Sequence, residues 1–305
     1  MTILRRLFVL VIALAVVGTM AFAEGAQESG DGEAAMEDKG SVDLAYVEWA
    51  RAVAITHVAG EMLTRMGYDV ELNNVANAAM WQAVASGDAD AHMTAWLPAT
   101  HGMFYGPEGE FTDEVEDLGV IYEGAGLGLV VPAYVEEDSI EELVANADKY
   151  DGEIVGIDPG AGMMQQLETA MAEDTLGLGS AFTLLEGSGP TMTASLADAV
   201  DNQRPVVVTG WRPHWKFSRW DLKILEQSSE VFGSAENIHA VARMGLSEDK
   251  PEVYSFLKDT DWAAVSYGPV MAAVADGMTP EEAAVDFVDA NTDALNEILP
   301  EGMSL

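Results

Sequence analysis

The chain has 305 residues, with 52 Asp and Glu against 14 Lys and Arg, a formal net charge of −38, 49% hydrophobic residues and no cysteine. A chain this acidic repels nucleic acid and anionic lipid, whose binding rests on lysine and arginine neutralising phosphate, so no nucleic-acid partner is expected. Nearly half the residues are apolar, enough to offset the entropy of folding, and the lack of cysteine excludes disulfides, thiolate metal sites and thiol nucleophiles.

Residues 1–23 read as a secretory signal: Arg5 and Arg6 give a positive start, 7–20 an apolar stretch, and Ala21-Phe22-Ala23 a small-x-small cleavage pattern. The apolar run falls short of the ~20 residues that span a bilayer. With no cysteine to carry a lipid, the expectation is an exported periplasmic protein, cleaved from its signal and untethered. Removing Arg5 and Arg6 makes it more acidic still. Residues 24–40 are small, polar and acidic without periodicity, as in a disordered linker.

From Ser41 short apolar runs alternate with amphipathic segments, the pattern of an α/β fold built from βαβ units. Strands are expected over 42–46, 70–72, 91–95, 119–121, 127–131, 154–157, 182–185, 206–209 and 222–225. Helices are expected over 53–66, 78–85, 163–172 and 192–200, with Gly67, Gly87 and Gly177 as C-caps. Capping boxes begin at Ser139 and at Thr279, the second with Pro280 in the first helical position, and the end of the chain, 250–299, reads as helical. A helical tail after two α/β halves implies that the chain returns to the first half, which gives two lobes: 41–132 with 237–305, and 133–236.

No enzyme constellation stands out. None of the five histidines pairs at the i, i+4 spacing of a zinc site, so neither metal nor cofactor is expected. Gly187-Ser188-Gly189 lacks the full nucleophile elbow, and Gly124-Ala-Gly126-Leu-Gly128 lacks the dinucleotide spacing. Carboxylate pairs such as Asp88 and Asp90 are what 52 acids produce by chance. A secreted hydrolase working through such carboxylates is the weakest of the alternatives.

The tryptophans say more. Trp49, Trp96 and Trp211 each stand where a strand gives way to a loop or helix, and strand carboxyl ends are where open α/β sheets place their ligand crevice. Three convergent indole faces would cage a cation that has no hydrogen to donate, a quaternary ammonium; three core residues would look the same. Trp81, Trp215, Trp220 and Trp262 read as core. The turn Asp158-Pro-Gly-Ala-Gly162-Met163 leads from a strand into a helix, so its amides could hold an anion, or it could simply be a turn. His101, five residues after Trp96, could add a donor.

Six blocks, VEWARAVA (47–54), ASGDADAHMTAWLPATH (85–101), GLGLVVPAYV (126–135), GIDPGAGMMQ (156–165), VVVTGWRPHWKF (206–217) and ENIHAVARMGL (236–246), make the chain resemble the glycine betaine/proline betaine substrate-binding proteins of ABC importers. The resemblance runs over about 41–299. It implies a type II-like two-lobed periplasmic-binding fold with the ligand cleft between the lobes, a betaine as ligand, a membrane permease as partner, a monomer, and osmoprotectant uptake. By motif it implies that Trp49, Trp96 and Trp211 enclose the trimethylammonium head and that Gly162, Met163 and His101 hold the carboxylate. Choline, carnitine or another quaternary amine is the alternative ligand. Arg212 and the pair Met163-Met164 depart from the family pattern at places that could shift the preference among betaines.

Overall fold

The computed structural model describes residues 39–305; the signal expected over 1–23 and nearly all of the acidic linker lie outside them. Nine strands form one mixed sheet: β1 (Ser41–Tyr46), β2 (Asp69–Asn74), β3 (Ala91–Leu97), β4 (Val115–Pro132), β5 (Glu153–Val155), β6 (Thr183–Leu185), β7 (Val208–Arg212), β8 (Leu222–Ile224) and β9 (Glu236–Arg243). Their order is β2-β1-β3-β9-β4-β7-β5-β6, with β8 also on β4.

The order divides at β4. Its first part pairs antiparallel with β9, from Val115 opposite Arg243 to Ala125 opposite Glu236. Its second part pairs antiparallel with β7, from Gly126 opposite Arg212 to Val130 opposite Val208, and then with β8. Parallel pairs flank both parts, β2-β1-β3 on one side and β7-β5-β6 on the other. Parallel neighbours need a crossover, and the helix Ala50–Arg65 supplies the one between β1 and β2. All of β3 is buried, as befits a central strand covered on both faces.

The two strands expected over 119–121 and 127–131 are one strand. Gly119 and Gly124 take positive φ, 111° and 72°, and break the apolar pattern, while the ladder continues past them through register shifts. β9 was not expected as a strand, because its sequence ENIHAVAR alternates too weakly to stand out from a helix. Gly67 and Gly87 follow helices with positive φ as expected; Gly177 also has positive φ, 82°, but does not cap the helix Gly162–Ala172, which has already stopped at Glu173. Thr279 and Glu282 form a complete capping box; at Ser139 the reciprocal half is missing, because Glu142 accepts from the amide of Asp138 instead. The tail is helical over Pro251–Asp259, Gly268–Ala275 and Pro280–Ile298, and the last two pack on Ala50–Arg65. No helix among the described residues is long and apolar enough to cross a membrane.

Beneath β3 the core holds a polar member. His92, 1% exposed, meets the edge of Trp81 at 4.5 Å, and burial pushes its pKa down to about 3. The unfolded chain binds a proton near pH 6.5 that the folded chain refuses until about 3, so this histidine removes stability as pH falls through that window. Each pH unit costs about 1.4 kcal/mol at most. His92→Gln, neutral throughout, is expected to lose less stability than the parent between pH 7 and 4 in urea titrations; equal losses would refute this account.

Candidate ligand site

Three indoles reach one cavity from three elements. Trp49 is the extended N-cap residue of Ala50–Arg65, Trp96 is the penultimate residue of β3, and Trp211 is the penultimate residue of β7. All are at least nine-tenths buried. They line about 390 Å³ of empty space, part of it open to solvent, together with His101, Gly162 and Met163. Strand alternation places Thr94 on the same face as Trp96, and it lines the space too. Leu127 of β4, paired with Trp211, completes the wall on that side. Among the described residues the three indoles make no ring contact with one another, so none of them covers the face of another. The indole N–H of Trp49 donates to the Asp158 carboxylate at 2.8 Å, and its ring stacks on His101 at 5.8 Å and 23°.

The same cavity holds donors without acceptors. His101 is fully buried, and burial pushes its pKa down to about 3, which keeps the ring neutral. Its Nδ1 accepts from the Trp96 amide at 3.0 Å, so the ring proton sits on Nε2, which is buried and has no partner. Gly162 and Met163 open the helix Gly162–Ala172, and their amides find no acceptor among the described residues. The helix dipole adds positive potential there. Glycine is required at 162 by close approach: a Cβ would lie 2.2 Å from the carbonyl oxygen of Thr100.

The segment carrying Thr100 and His101 is tied down from afar. The Glu236 carboxylate, at the start of β9, accepts from the amides of Ala99 and Thr100 and from the Thr100 hydroxyl. Asn77 donates to the Gly160 carbonyl at 3.0 Å, so the glycine turn is bonded to the first half of the sheet, as it is through Trp49 and Asp158. Among the described residues no aspartate or glutamate lines the cavity. The one charged side chain on its wall is Arg51.

All six residues singled out in the sequence meet in this cavity. Two departures noted there do not. Met164 turns away, its sulfur accepting from the Ile157 amide at 3.3 Å, and Arg212 is exposed over the ring of Phe217 at 4.1 Å. Trp81 and Trp262 are core residues, whereas Trp215 and Trp220 are only half-buried. Sequence reasoning passed over Arg51, Asp158 as a bonding partner, Glu236 and Lys216. Arg51 carried a signal, an arginine in an otherwise apolar helical run; the Glu236 contact, across more than a hundred residues, carried none.

A cavity walled from both halves of a divided α/β sheet defines a ligand-binding protein of the two-lobed periplasmic-binding type. The chain belongs to the family described as the substrate-binding domain of ABC-type glycine betaine transport systems, whose model matches residues 40–290. It is 44% identical over 140 residues to the glycine betaine/carnitine transport binding protein GbuC of Listeria monocytogenes, a match spanning 46% of either chain. Among solved structures it resembles lactococcal OpuAC in its closed conformation complexed with glycine betaine, with 35% identity and a TM-score of 0.77 over 86% of this chain and 100% of that one. It also resembles the glycine/betaine/L-proline-binding protein ProX of Borrelia burgdorferi, with 32% identity and a TM-score of 0.79 over 86% and 97%.

Lys216 packs against one cavity wall without lining the cavity. Its Nζ lies 5.0 Å from the centre of the Trp211 ring and donates to the Thr209 carbonyl at 3.1 Å. Complete burial pushes its pKa down to about 7. Between that value and ~10.4 the unfolded chain holds a proton that the folded chain lacks, so stability rises with pH across this window and is flat below it. Lys216→Met is expected to abolish that rise, read as the change in urea midpoint from pH 7 to 9.5 relative to the parent. A rise of unchanged size would show that the amine is not held neutral.

Proposed function

We propose that the chain is the extracytoplasmic substrate-binding protein of an ABC importer and that it takes glycine betaine, with proline betaine as a second ligand. One observation carries the ligand assignment: a cavity with three indoles, unpartnered donors at His101 and at the amides of Gly162 and Met163, and no carboxylate among the described residues of its lining, in a chain with 52 acids. A trimethylammonium group offers no hydrogen to an acceptor and is attracted to aromatic faces. A carboxylate takes up to four hydrogen bonds and suits the amides of Gly162 and Met163 with the Nε2–H of His101. Glycine betaine has both groups one methylene apart. Choline has a neutral hydroxyl instead, which can accept at most two hydrogen bonds and would leave a donor unpaired.

The lobes in this reading are 41–132 with 237–305, and 133–236, and closure over the ligand is a hinge motion where β4 and the chain leading to β9 cross between them. The Trp49–Asp158 and Asn77–Gly160 bonds would latch the closed form. That form, a monomer in the periplasm after removal of the signal, would dock on a membrane permease and deliver an osmoprotectant. No bond is made or broken in the ligand.

A desolvated cation–π contact is worth ~2 kcal/mol, and 1.4 kcal/mol is a factor of ten. Trp96→Ala is therefore expected to weaken glycine betaine binding at least tenfold in titration calorimetry, and unchanged affinity would sink the cage. In the same calorimeter choline is expected to bind the parent at least tenfold more weakly than glycine betaine. Equal affinities would remove the carboxylate from the three donors.

A further inference from the structure

Twelve lysines and arginines lie from Lys39 onward. Among the described residues nine of them form ion pairs with carboxylates, and the three that form none there are Arg51, Arg212 and Lys216. In a chain so rich in acid, three unpaired bases in one neighbourhood call for a reason. Lys216 is accounted for by burial against Trp211. Arg51 and Arg212 both line a second cavity, about 1050 Å³ of empty space including open solvent, with Tyr122 and Tyr267. Arg51 lines the first cavity as well.

Arg51 is 3% exposed, and its guanidinium is only partly satisfied. One NH2 group donates to the Ile121 carbonyl at 3.3 Å, while Nε and the other terminal nitrogen have no partner. Tyr122 and Tyr267 lie against it, ring centres 5.3 and 5.8 Å from its central carbon. The Tyr267 hydroxyl is itself buried without a partner. A buried cation is ordinarily paired, because the protein interior solvates it poorly. Here an unpaired guanidinium and an unpaired hydroxyl border one cavity, both able to donate, with a second arginine at the same cavity and no carboxylate on its wall.

We propose that this second cavity binds a small monovalent anion of halide size, held by the guanidinium of Arg51 and the hydroxyl of Tyr267, with Arg212 adding positive potential at its exposed side. The anion would stand as the missing counter-ion of Arg51. It would also offset a positive charge on the wall of the cavity in which a cationic head is to be lodged. Anion binding is read without any betaine, so the proposal stands or falls apart from the ligand assignment.

The probe is bromide or chloride against gluconate, a polyhydroxy carboxylate far larger than a halide, at constant sodium concentration. Crystals of the parent soaked in sodium bromide are expected to show anomalous density against Arg51. In solution the parent is expected to melt a few degrees higher in chloride than in gluconate, as for any ligand bound to the folded state alone. That difference should disappear in Arg51→Met and shrink in Tyr267→Phe. The second variant guards against a failure of the first to fold, and it has its own sign: removing a hydroxyl that bonds to nothing leaves stability unchanged or higher in both salts, whereas removing an anion ligand lowers it in chloride only. Bromide absent from Arg51, or a chloride effect of full size in Tyr267→Phe, would overturn the proposal.

Discussion

One strand positions the whole site. Over residues 121–127, β4 passes from one half of the sheet to the other, and each pairing along it places a functional group. The Ile121 carbonyl and the Tyr122 ring hold Arg51. Gly124 donates to the Asn237 side chain, and Ala125 stands opposite Glu236, the anchor of the segment bearing His101. Leu127 stands opposite Trp211. A strand with two hydrogen-bonded edges cannot slide on one edge without disturbing the other, since a slip of one residue would turn every side chain to the wrong face. The faces that Trp96 and Trp211 present, on strands far apart in sequence, are therefore set by the register of backbone pairing rather than by contact between the rings.

Given that frame, the absence of carboxylates from the first cavity is a positive feature of its chemistry. A fixed aspartate would attract any cation by Coulomb force, including sodium and protonated amines, with a strength that depends little on the structure of the guest. Aromatic faces discriminate differently: the attraction is moderate, and a small, strongly hydrated ion loses more in shedding its water than the rings return. The acids nearest the site are engaged elsewhere. Asp158 accepts from Trp49 and Glu236 from the backbone of residues 99 and 100, so each spends its charge on orienting a wall.

What the sequence disclosed follows from which interactions are local. Eight of the nine observed strands and the helical tail largely coincide with periodic runs, and the three indoles with strand ends, because alternation and chain direction are written within a few residues of each position. The unpartnered amides of Gly162 and Met163 were legible for the same reason: a turn followed by a helix exposes them wherever it occurs. Glu236, Arg51 and Lys216 were not. A glutamate that caps a distant loop looks like any of the other acids, and β9 itself reads ambiguously. Whether an arginine in an apolar run finds a partner depends on what the tertiary fold brings to it. The Trp49–Asp158 bond is a middle case, since both residues were noted but nothing local joins them.

The opening imbalance of charge and the chemistry of the site operate at different ranges. Surface carboxylates are screened beyond about 8 Å at physiological ionic strength, whereas buried charges are screened far less. Arg51 is buried on the cavity wall, and the helix start at Gly162 adds its dipole. The local potential around the cavities is thus decided by a few interior groups of positive sign, even though the chain as a whole carries −38. A zwitterion, with no net charge, is neither steered in nor repelled by the acidic exterior. It responds to the gradient between aromatic faces and unpaired donors, and a pocket built on that gradient leaves the surface free to be as acidic as its surroundings require.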